Sequence, residues 1–106
     1  MTKGISFDVE RCIQTTLTPS TGIAANTTAE LTYTINGLKV NDLIFVNKPT
    51  LQAGLGIVNA RVSAVNTLAI AYSNNTSSVI TPTTETYNIF AVRPDKYETD
   101  GSAQLR

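Results

Sequence analysis

The chain has 106 residues, 8 Lys plus Arg against 8 Asp plus Glu, no histidine and one cysteine. At this length about 65% of the unfolded surface can be buried, which suits a single domain around one core. Balanced charge gives no electrostatic case for nucleic acid or an anionic membrane, missing histidine closes the Ser-His-Asp, Cys-His and His-zinc routes, and one cysteine allows no intrachain disulfide.

Thr is abundant and Asn frequent, while Glu, Lys and Gln are sparse, so strands and turns are favoured over helices. Residues 1–28 are the least patterned. Ile5, Phe7 and Val9 alternate as in a strand, and Pro19 with Gly22 ends that run, so the segment reads as a packed strand or an extended arm. Over 29–35, Leu31, Tyr33 and Ile35 share one face against Glu30, Thr32 and Thr34, the half-buried strand pattern. Asn36-Gly37 and Asn41-Asp42 follow as turn signals.

Residues 43–46, Leu-Ile-Phe-Val, are apolar on both faces and read as a strand enclosed inside the structure, closed by Asn47-Lys48-Pro49. Gly54 and Gly56 mark a loop. From residue 57 to 74 the alternation of Val58, Ala60, Val62 and Ala64, then of Leu68, Ile70 and Tyr72, predicts a hairpin turning near Val65-Asn66. Residues 74–78 form a polar loop, and 85–92 a last strand with Tyr87, Ile89 and Ala91 on one face and Phe90 and Val92 on the other. No window keeps apolar residues at helical spacing without Pro, Gly or Asn intervening. The expected fold is all-β, a single-domain antiparallel β-sandwich or small β-barrel, with a strand or arm at 1–28, a core at 29–94 and a polar tail at 95–106.

Chemistry is thinly supplied. Cys12 beside Arg11 reads as a small buried hydrophobe more readily than as a nucleophile. Asp8 and Glu10 fall on one strand face, and Asp95, Glu98 and Asp100 fall in the tail; neither set offers the fixed separation that glycoside chemistry needs or the register of a calcium loop. Gly54-Leu55-Gly56 lacks the third glycine and the helix of a phosphate cradle. The Asn-X-Ser/Thr triplets at Asn26, Asn74 and Asn75 are expected by chance in so Asn- and Thr-rich a chain. Tyr33, Phe45, Tyr72, Tyr87 and Phe90 all lie in strands and read as core, which leaves Tyr97 as the aromatic free for a partner. The first residues lack an apolar signal-peptide region, and no run reaches the 18 apolar residues of a membrane helix, so synthesis in a cytoplasm is expected.

The run Gly37-Leu38-Lys39-Val40-Asn41-Asp42-Leu43-Ile44-Phe45-Val46, followed by Ala53-Gly54-Leu55-Gly56-Ile57-Val58-Asn59-Ala60-Arg61-Val62-Ser63-Ala64, Asn66-Thr67-Leu68 and Asn74-Asn75-Thr76, resembles the head decoration, or cement, proteins of tailed bacteriophages. The resemblance covers residues 30–92 and departs at Asn41, where that pattern carries Gly; Asn also tolerates the left-handed conformation. It implies a structural virion protein, not an enzyme and without a cofactor or metal. Such a protein is made in the host cytoplasm and placed on the capsid surface, where it binds the major capsid protein, bridges capsomers and assembles with itself, with a trimer at a threefold axis as one form. Lys3, Phe7 and Arg11, in the segment least explained by the core, and Tyr97 are then the expected contact residues. The alternative is a tail- or fibre-associated β module that binds a host glycan through the loops at 47–56 and 74–78.

Overall fold

A computed structural model describes residues 7–95 and residue 97. It contains six strands: β1 (Phe7–Leu17), β2 (Thr27–Thr34), β3 (Leu43–Asn47), β4 (Leu55–Ala64), β5 (Thr67–Asn74) and β6 (Glu85–Pro94). They form two antiparallel three-stranded sheets, ordered β1-β6-β3 and β2-β5-β4. Among the described residues there is no helix. The fold is therefore all-β, two sheets face to face, as period-2 alternation in short segments requires.

Every connection except β4–β5 crosses from one sheet to the other, so each sheet is completed by distant parts of the chain. The β4–β5 hairpin turns at Val65-Asn66, where Asn66 takes φ 62°. Asn41 adopts φ 79° and Gly37 φ 96°, so the 36–42 connection uses left-handed backbone at two of its polar positions.

The inward faces meet in one core. Leu68, Ile70 and Tyr72 of β5 face Tyr87, Ile89 and Ala91 of β6, with Leu17, Ile23, Ile35, Leu38 and Val62 around them. Ile13, Leu31, Tyr33, Ile44, Val46 and Ile57 pack partly buried against this cluster. Leu17 and Ile23 precede residue 29, so the core draws on the chain well before that point. The segment after β1 is tied down too, since Ile23 and Ile80 exchange backbone hydrogen bonds of 2.7 and 3.1 Å.

Two expectations about the strands are corrected. β3 lies at a sheet edge with β6 as its one neighbour, and Leu43 and Phe45 face outward, because only the even positions Ile44 and Val46 reach the core. In β4 the alternation is broken: Ile57 pairs with Tyr72 and Asn59 with Ala71, so Val58 is the extra residue of a bulge and is exposed. Gly56 lies inside β4, while Gly54 makes the turn at φ 83°.

Candidate docking surface

Residues 36–42 hold the two sheets together at one end through specific polar contacts. Asp42 is buried and receives Arg93 Nε on Oδ1 at 2.7 Å and Nη2 on Oδ2 at 2.8 Å, a bidentate pair, while the Lys39 amide donates to Oδ2 at 2.9 Å. The Arg93 guanidinium, opposed by burial and helped by the Lys39 amide, holds the Asp42 carboxyl below its ordinary range. Arg93 Nη2 also donates to Gly37 O, and Arg11 Nη1 donates to Asn36 O, both at 2.9 Å. From the second sheet, Asn66 Oδ1 accepts the Gly37 amide at 2.7 Å. The Gly37 to Asp42 motif is thus a latch built from both sheets.

Two of the four sequence-predicted contact residues take part in or adjoin these contacts. Arg11 is half-buried and engaged in the latch, and Tyr97 donates its hydroxyl to Asn41 O with about half its surface exposed. Phe7 opens β1 opposite Pro94 of β6, and Lys3 lies outside the described residues. Arg11 and Tyr97 both contact the 36–42 connection, at Asn36 O and Asn41 O. β1 is paired with β6 through to Leu17 opposite Glu85 and does not stand off as an arm.

The two outer faces differ in kind. On the β2-β5-β4 face, Glu30 and Arg61 reach across the central strand and meet in a bidentate pair of 2.7 and 2.8 Å. Ala69 and Ala71 beneath them are small enough to permit the crossing and are buried as a result. An ion pair thus covers the central strand of that face.

The β1-β6-β3 face has no such cover. Cys12, Phe90 and Phe45 stand in one register row, and the two phenyl rings stack with centroids 6.1 Å apart and an interplanar angle of 25°. Phe45 is 60% exposed and Phe90 37%. Beside them runs a row of amides. Gln14 Nε2 donates to Asn88 Oδ1 at 2.8 Å, and Asn88 Nδ2 donates to Asn47 Oδ1 at 3.3 Å. A further row pairs the hydroxyls of Thr16 and Thr86 at 3.2 Å. Together the first two rows line a shallow groove of about 580 Å³.

This face is not evident from the sequence, in which Phe45 and Phe90 read as core and Cys12 as buried; Cys12 is exposed. The usable signal was parity. Phe90 alternates with buried Ile89 and Ala91, so it points outward, and pairing with β6 brings Phe45 to it. The loop at 74–78 is likewise organised from within: Asn74 is buried, gives its amide to Ile23 O and Ser78 O, and accepts from the Thr76 amide and hydroxyl. Asn74 is therefore unsuited to be a glycan acceptor.

The groove presents apolar rings, a thiol and amides, so it can bind by burial and neutral hydrogen bonds. Among the described residues no group of three or more His, Cys, Asp or Glu is placed to hold a metal ion. Compared with protein-family models, curated proteins and solved structures, the chain matches none.

Proposed function

We propose that this protein is a structural virion protein, a head decoration protein that docks on the outer surface of an assembled capsid and bridges capsomers. The observation that carries the reading is the uncharged groove on the outer face of β1-β6-β3, where stacked Phe45 and Phe90 sit beside the Gln14–Asn88–Asn47 amide row. An exposed apolar patch with a polar rim is the composition of a protein contact surface. Its small size suits a contact repeated by symmetry, in which many weak sites sum to a firm hold. The spacing resemblance over residues 30–92 is the ground for the kind of partner, the major capsid protein, and for a working oligomer on the virion with no catalytic role.

Co-sedimentation with shells of the major capsid protein encoded nearest to this chain tests the reading. The wild-type chain should co-sediment, and Phe45→Ser should weaken binding about tenfold, the loss of ~1.4 kcal/mol from one exposed ring, with its circular dichroism unchanged. No binding of the wild-type chain to mature shells would sink it.

One observation favours a second reading. Aromatic rings beside side-chain amides are also the chemistry of a sugar platform, which would make the chain a tail- or fibre-associated glycan-binding module through this groove. Glycan-array binding lost in Phe45→Ser, without shell binding, would select it.

A further inference from the structure

We propose that the outer edge of β1 is a self-association site: two copies of this chain pair antiparallel through β1 about a two-fold axis at Cys12, joining their first sheets into one of six strands. This names the surface behind the oligomeric state in the reading above, and it rests on that reading only for its purpose on the particle.

Among the described residues the two sheets have four edge strands, which are not equivalent. β3 is five residues long and runs into Lys48-Pro49, a short edge closed by a residue that cannot donate to a ladder. β4 carries two register breaks. β2 is regular over eight residues, whereas β1 has eleven and pairs with β6 without a break from Val9 to Leu17. A long regular edge is a template for another strand, and main-chain hydrogen bonds supply the affinity.

The occupant follows from register and charge. A two-fold axis on Cys12 sets each position of β1 opposite its mirror, so Glu10 meets Gln14, Arg11 meets Ile13, and Asp8 falls opposite Thr16. Odd positions meet odd ones, so the core-facing sides of the two sheets coincide; Ile13 and Leu17 lie on that side and exposed Glu10, Cys12, Gln14 and Thr16 on the other. No like charges are opposed, and Glu10 gains in Gln14 a neighbour that can donate to it. Moving the axis to Arg11 sets that cation against itself, and moving it either way shortens the overlap from eleven positions to about nine, the count given by strand geometry alone. Arg11 faces inward, a placement that can guard an edge, but its Nη1 is engaged by Asn36 O. With a net charge of zero, copies meet no long-range repulsion.

Cys12 then reports the geometry. Opposed residues of an antiparallel pair have Cα atoms about 4.5–5.5 Å apart, within the range a disulfide spans. Diamide should join two copies: two Cys12 thiols lose two electrons and two protons, one S–S bond forms, and diamide is reduced to its hydrazine. The purified full chain, without shells, should sediment as a concentration-dependent dimer and cross-link rapidly. A Cys12→Ser, Gln14→Cys chain, whose thiol faces Glu10 of the second copy, should cross-link at least tenfold more slowly. Gln14→Glu should weaken the dimer about fivefold by opposing acids at two places, and Glu10→Gln added to it should restore the affinity.

A chain that stays monomeric, forms a trimer, or cross-links equally from position 14 overturns the proposal, as does a dimer indifferent to Gln14→Glu. Shell binding is read in a separate assay. A shell-binding monomer rejects the edge alone, and a dimer that ignores shells rejects the capsid reading alone.

Discussion

Asp42 shows how one residue in this fold does several tasks. Its carboxylate is buried, yet each oxygen has a charged or amide donor, so the ion is tolerated because its hydrogen bonds are made. Removing one partner of such a pair leaves the other charge poorly solvated. Asp42→Asn should therefore cost about 2–3 kcal/mol in denaturant unfolding, the range for hydrogen bonds to charged groups. The pH dependence has a definite sign. Because the folded carboxyl titrates below its unfolded value near ~3.9, its contribution is fully present above that value and disappears as pH falls through the folded one. Urea midpoints measured from pH 6 to pH 3 should fall for the wild-type chain and fall less for Asp42→Asn; parallel curves would show that the latch does not govern acid stability.

At the scale of elements, β1 decides how the N-terminal third should be understood. Ile13 packs against the core, Leu17 is buried, and residues 9–17 pair with β6, the strand that carries Tyr87, Ile89 and Ala91. Deleting residues 1–14 would strip most of that pairing and open one flank of the core. The shortened chain should lose its cooperative thermal transition; a folded product with native-like near-ultraviolet dichroism would mean that β1 is dispensable after all. Alternation at positions 5, 7 and 9, of which Ile5 lies outside the described residues, points to a strand here, and turn residues locate the β4–β5 hairpin, because both are local signals. Which strands become edges was not legible. The apolar run at 43–46 looks the same whether it is enclosed or lies at a border, and only pairing with β6 shows that Phe45 faces out. The bulge at Val58 and the ion pair over Ala69 and Ala71 likewise depend on neighbours distant in sequence. The outer face of β1-β6-β3 is hidden in the sequence for the same reason.

For the whole molecule, the two sheets are joined through a relay of three phenols. Tyr33 of β2 and Tyr72 of β5 share a hydrogen bond of 2.9 Å, and Tyr72 shares another of 3.0 Å with Tyr87 of the opposite sheet. Tyr72 and Tyr87 have no exposed surface, so each hydroxyl must find its partner within this relay, and a buried polar network satisfied in this manner fixes how the layers sit on each other. Burial is the leading reason that all three phenols are held above their ordinary value, with Tyr72 raised most. The unfolded phenols titrate near ~10, so the relay's contribution is fully present below that value and declines as pH rises past it. Tyrosinate absorbance should therefore rise for Tyr72 and Tyr87 only as the fold is lost, giving coincident transitions at 295 nm and in far-ultraviolet dichroism. Tyr72→Phe should lower stability by about 1–3 kcal/mol, the cost of leaving Tyr87 without its buried partner. It should also remove one phenol from the coupled step. Smooth ionisation of these groups below the unfolding transition would show that water reaches the space between the sheets.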